Sequence, residues 1–146
     1  MYTELEQQTL DIDWFFTDKS KIGFIASAGG KLPESISKLG EGNQLLSSYF
    51  RNLPEISEIF INTELDSKLR NDENYLSDFI SMAKRGLYTF DKTKLNDFLN
   101  SNYHLVAYPI KSLELRNIPQ NILDILSKTY YKNIDRTKKI DVKEIK

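Results

Sequence analysis

The sequence predicts an α+β fold, with an antiparallel sheet that begins in an N-terminal hairpin and helices packed mainly on one face. Three observations lead there. Asp13–Pro33 reads as two apolar runs around a polar turn. Strand-like and helix-like runs then mix along the chain without the regular alternation of a parallel βαβ sheet. The 146 residues, 40% hydrophobic and 28% charged, have the size and composition of one domain, 1–146, with a sizeable core.

Residues 1–11 are acidic and polar and suggest only a frayed or edge segment. Trp14, Phe15 and Phe16 favour a strand, Asp18–Lys21 turns the chain, and Ile22–Ala28 returns as a second strand. Alternation puts Trp14 and Phe16 on one face and Phe15 on the other, so the hairpin should be covered on both sides. Gly29 and Gly30 form a tight turn, and Pro33 with Glu34 suits the first turn of a short helix, Pro33–Leu39. After Gly40–Gly42, Asn43 is placed to cap a helix over Gln44–Arg51, with Leu45, Leu46, Tyr49 and Phe50 along one side.

Glu58–Asn62 reads as a strand, and Thr63–Arg70 has weak helical spacing at Leu65 and Leu69. The clearest helix is Tyr75–Arg85, with Leu76, Phe79, Ile80 and Ala83 inward and Gly86 just beyond its end. Leu87–Phe90 and Tyr103–Ile110 are strands that can pair antiparallel across a short helix or long turn, with Pro109 near a strand's end or an edge. Pro119 opens a last helix carrying Ile122, Leu123, Ile125 and Leu126, and Ile140–Ile145 can add a terminal strand.

The net charge of −1 argues against general nucleic-acid binding. The absence of Cys excludes disulfides, thiol nucleophiles and Cys-ligated zinc, and fits a reducing cytoplasm. The N-terminal residues lack the basic and apolar regions of a secretory signal, and no apolar run approaches the ~18 residues that span a bilayer.

No motif for catalysis stands out. The Gly29-Gly30-Lys31 turn could hold an anion at a helix start, but it lacks the spacing of a P-loop and reads first as a turn. His104 is the only histidine, so no multi-histidine metal site exists and no cofactor is expected. Ser27, His104 and Asp91 could form a hydrolytic set, but no nucleophile-elbow motif supports it. The carboxylate pairs Asp11/Asp13 and Asp72/Glu73, and the basic tail from Lys128, read as solvated surface. Tyr103, Tyr108, Tyr130, Tyr131 and Trp14 are of the type that anchors interfaces, though their spacing also suits a core.

The order WFFTD, IGFIASAGG with LP beyond it, AKRGLYTFD and YHLVAYP resembles small bacterial proteins of the immunity type. The resemblance implies a cytoplasmic, non-enzymatic inhibitor that binds one cognate toxin and occludes its active site, with no nucleic acid or membrane involved. It transfers no contact residues and no oligomeric state. The alternative is a small-ligand-binding or regulatory domain, with a pocket between sheet and helices near Trp14, Ser27, Gly29, Gly30 and His104.

Overall fold

The aromatic run at Trp14–Phe16 divides the molecule into two cores. In the computed structural model, which describes residues 1–146, β1 (Asp13–Thr17) and β2 (Ile22–Ala26) form the expected antiparallel hairpin. Phe15 and Phe24 point into one core with Leu46, Phe50, Phe79 and Met82. Trp14, Phe16 and Ile25 point into the other with Leu32, Ile36, Phe90 and Tyr103. Every residue of β2 is buried, as a strand covered on both faces requires.

The remaining strands are β3 (Ile59–Ile61), β4 (Tyr88–Lys92), β5 (Asn102–Pro109) and β6 (Lys139–Asp141). The sheet runs β1-β2-β4-β5-β3, and β6 pairs with the opposite end of β5 from β3. The α+β class holds, but the sheet is mixed rather than antiparallel, because β2 and β4 lie parallel. The chain crosses between them through residues 27–87, and a parallel neighbour demands such a crossover. That crossover is disguised in the sequence because β3 interrupts it and pairs at the far edge.

Helices α1 (Glu4–Thr9), α2 (Glu34–Ser37), α3 (Glu41–Arg51), α4 (Ser67–Arg70), α5 (Glu73–Lys84) and α6 (Gln120–Leu126) complete the fold. The apolar stripes of α3, α5 and α6 cover the Phe15 face. Ile36 of α2 and Ile134 pack on the Trp14 face, beside Ile140 of β6. Residues 4–9, where the sequence suggested no regular element, are helical because Thr3 and Glu6 form a reciprocal capping box. Helix α3 starts at Glu41 rather than after Asn43, since Gly40 at φ 54° turns the chain earlier. Asn43 is buried inside the helix instead, and its amide donates to the Asp13 carbonyl at 2.7 Å, covering the outer edge of β1. Residues 93–101 form a turn rather than a helix. Gly86 ends the α5 segment at φ 97°, as its position beyond the helix predicts. No helix is long and apolar enough to cross a membrane.

Candidate functional site

The two edges of the sheet are finished differently. Thr17 of β1 is bridged by the chain at Thr129–Tyr131, through Thr17 N–H to the Thr129 carbonyl and Tyr131 N–H to the Thr17 carbonyl. At the other edge β3 has a partner on one side only. Ile110 N–H donates to the Glu58 carbonyl and Asn62 N–H to the Val106 carbonyl, both at 2.9 Å. This register turns residues 58, 60 and 62 toward β5 and leaves the N–H and C=O of Ile59 and Ile61 pointing outward. Pro109 faces Ile59 at a position where no amide proton is needed across that pair.

The side chains follow the same alternation. Ile61 packs against the Phe15 core, while Phe60 stands on the opposite face, 51% exposed. Its ring meets Tyr108 at 5.5 Å, and Tyr108 stacks on Tyr88 at 6.1 Å and 11°. Ile56 and Ile110 extend the exposed apolar surface at this edge. A shallow cavity of about 170 Å³ beside the aromatics is lined by Tyr88, Tyr108, Asn62, Ile134 and Arg136. The result is an aromatic shelf next to unpaired backbone, a surface suited to an added strand with an apolar anchor.

The five residues of the sequence-derived pocket enclose no common cavity: Trp14, Ser27 and Gly30 pack around Tyr103, and His104 faces away. Trp14 is fully buried, edge-on to Tyr103 at 6.2 Å, with its indole N–H unpaired. Ser27 is also fully buried. Its Oγ accepts from Ile12 N–H at 2.8 Å and donates to the Leu10 carbonyl, so it is held by backbone rather than by an imidazole. Gly29 sits at φ 75° against the Gln8 carbonyl, and Gly30 lies under the Tyr103 hydroxyl, which donates to the Ser27 carbonyl at 3.2 Å. His104, next to Tyr103 on β5, turns to the other face. None of the main cavities is lined by Trp14, Ser27, Gly29 or Gly30, and His104 borders one of about 230 Å³ with Asn62, Glu64 and Lys138.

His104 instead joins a set of titratable groups on the Phe15 face. It lies directly across from Asp91, and its Nδ1 is 3.0 Å from Thr93 Oγ1 while its Nε2 is buried without a partner. Burial pushes the imidazole down from its ordinary value, against the pull of Asp91. The Tyr75 hydroxyl donates to Asp91 Oδ2 at 2.7 Å. Burial pushes the Asp91 carboxyl up, and that hydroxyl partly reverses the shift. Burial foremost, then the Asp91 charge, holds the Tyr75 phenol well above its usual range. Lys92 faces the other core, buried, with Nζ on the Asn100 carbonyl at 2.5 Å and over the Tyr103 ring. Burial lowers its pKa.

No three of the chain's His, Asp and Glu side chains gather as a set that could hold a metal ion. Asp91 and His104 are cross-strand neighbours, but no hydrogen bond joins them, since Asp91 is bonded by Tyr75 and His104 by Thr93, and Ser27 is committed to backbone elsewhere. Of the shelf, the sequence singles out only Tyr108 as an interface-type residue, and not Phe60 or Tyr88. The shelf's signal was present in Phe60 within EIFIN and in Tyr108 before Pro109, but only pairing β3 with β5 brings them together. No protein-family model matches the chain, and no match was found among curated proteins or solved structures.

Proposed function

We propose that this chain is a protein-binding module, an immunity-like inhibitor that neutralises one cognate toxin by covering its active site. The observation that carries this reading is the Phe60–Tyr108–Tyr88 shelf beside the open edge of β3. A strand of the partner adds to the outward N–H and C=O groups of Ile59 and Ile61, and Phe60 supplies the central anchor. The inhibitor performs no chemistry, acts in the cytoplasm and needs no cofactor. Its effect is steric, and charged residues around the edge tune the rate of association.

The test is complex formation and growth protection with the protein encoded beside this chain. Wild type should bind that protein and protect cells that express it. Phe60→Asp should abolish both while leaving the chain folded. Failure of the wild type to bind would sink the inhibitor reading. Binding untouched by Phe60→Asp would remove the shelf from it.

A further inference from the structure

The outer edges of β1 and β6 are blunted, and that of β3 is not. Asn43 and the chain at Thr129–Tyr131 cover parts of β1, and β6 carries Lys139 and Asp141. Strand β3 reads Ile59-Phe60-Ile61 in even register with β5, without the lysine, proline or bulge that protects an exposed edge.

This edge is complementary to itself about Phe60. The outward N–H and C=O groups belong to Ile59 and Ile61. Turn a second copy about a two-fold axis normal to the sheet at Phe60, and Ile59 meets the second copy's Ile61 while Ile61 meets its Ile59. Each of these pairs exchanges both backbone hydrogen bonds, so every outward group of the two residues finds a partner. Phe60 faces the second copy's Phe60 across a non-hydrogen-bonded pair, where Cα atoms approach to about 4.5 Å and side chains lie closest.

The side chains suit that register. The row of rings Tyr88, Tyr108 and Phe60, spaced 6.1 and 5.5 Å, continues across the axis into the same row of the second copy. Half-buried Ile59 and Ile61 pair on the opposite face. Glu58 falls opposite the neutral Asn62 of the second copy, so no like charges meet along the strands. Arg136 and Asp135 line the cavity beside Asn62 and offer one charge of each sign, which leaves the choice of occupant to the strand and the rings.

We propose that β3 pairs with β3 of a second copy of this chain, making a two-fold dimer with one continuous sheet. The contact uses up both open edges, so assembly stops at the dimer. Strands this short bury less than about 1,200 Å² in total, the range of weak and reversible contacts. The dimer hides the shelf that the inhibitor reading gives to a toxin strand, so toxin and second copy compete for it. It forms without any toxin, and each assembly is tested separately.

Sedimentation velocity of the full chain, from micromolar to millimolar concentration, should show a monomer–dimer equilibrium that goes no further. Phe60→Asp brings two carboxylates face to face at the axis. Ile59→Pro removes an outward N–H at the first residue of the strand, where proline is tolerated, and keeps the Phe60 ring. Each should weaken dimerisation about tenfold or more, and near-ultraviolet circular dichroism from Trp14 checks that both variants are folded. In the unaltered chain, amide exchange at Ile59 and Ile61 should slow as concentration rises, a readout that needs no substitution. A monomer at every concentration, open-ended association, a dimer indifferent to either substitution, or exchange at Ile59 and Ile61 that ignores concentration would overturn the proposal. A chain that stays monomeric yet binds the toxin encoded beside it would overturn the dimer and keep the inhibitor reading. A dimer that binds no such toxin would do the reverse.

Discussion

Replacing Tyr75 by Phe deletes one hydroxyl from the cluster around His104, and the consequence can be followed through pH. The hydroxyl donates to Asp91 Oδ2 at 2.7 Å, while the ring, 5.5 Å from Phe79, is kept by the substitution. A bond to an ionised acceptor contributes about 1.5–3 kcal/mol, against about 0.5–1.5 for a neutral pair. Asp91 titrates above its ordinary 3.8 in the folded chain, chiefly through burial. The folded state therefore takes up the proton before the unfolded state does as pH falls, and ionised Asp91 lowers stability above its folded pKa. The charged bond exists only above that pKa. Tyr75→Phe should thus cost about 1.5–3 kcal/mol at neutral pH and about 0.5–1.5 once the carboxyl is protonated. Urea unfolding followed by Trp14 fluorescence, at neutral and acidic pH, measures both. In an Asp91→Asn background the cost should stay at the lower value at every pH. An equal cost in both backgrounds at neutral pH would show that the hydroxyl does not serve the carboxylate, and the account of this cluster would fail.

Four further outcomes follow from the same structure. His104 is held below its ordinary 6.5 by burial, so the unfolded chain gains the proton first on acidification; stability should fall as pH drops below 6.5 toward the folded pKa, and His104→Gln should flatten that slope in a pH series of urea midpoints. Gly86→Ala places a Cβ 2.4 Å from the Leu113 nitrogen at φ 97°, and should lower stability by more than about 1 kcal/mol in thermal unfolding. Arg51 joins Asp13, at 2.6 Å, to Asp78, at 2.7 Å, yet is 37% exposed; Arg51→Met should cost only about 1 kcal/mol, and high salt should narrow the difference. Phe60→Ala should cost about 1 kcal/mol because half the ring is already in water, whereas Phe90→Ala, fully buried, should cost about 3–5 kcal/mol in the same denaturation assay.

Local chemistry made much of this fold readable. Trp14 and Phe16 alternate with Phe15 as a doubly covered strand must, and Gly86 marks the end of α5 as a left-handed residue should. Long-range pairing was less accessible. Nothing near Ile25 announces that Phe90 will lie beside it in parallel, because the connection is long and includes a strand that belongs elsewhere. The sites show the same division. Asp91 and His104 are named together from residue type, but the Tyr75 hydroxyl that bonds Asp91 reaches it only because α5 crosses the strand that carries it. Ser27 is a candidate by residue type alone, and the backbone groups at Leu10 and Ile12 that occupy it come from a segment with no strong local pattern. Phe60 resembled any strand aromatic until β3 proved to be an edge.

The parallel seam between β2 and β4 has a consequence for how the chain reaches this structure. Each flank of the seam is a hairpin of nearby residues, β1–β2 on one side and β4–β5 on the other, whereas the seam itself closes the whole of residues 27–87. Closing a loop of that length loses chain entropy before any contact repays it, so the hairpins should form early and meet late. The rate-limiting event is then a docking of two preformed halves, with Ile25 and Phe90 at the junction. Stopped-flow refolding of Ile25→Val should show slower folding with little change in unfolding, and the opposite partition would place the seam after the barrier.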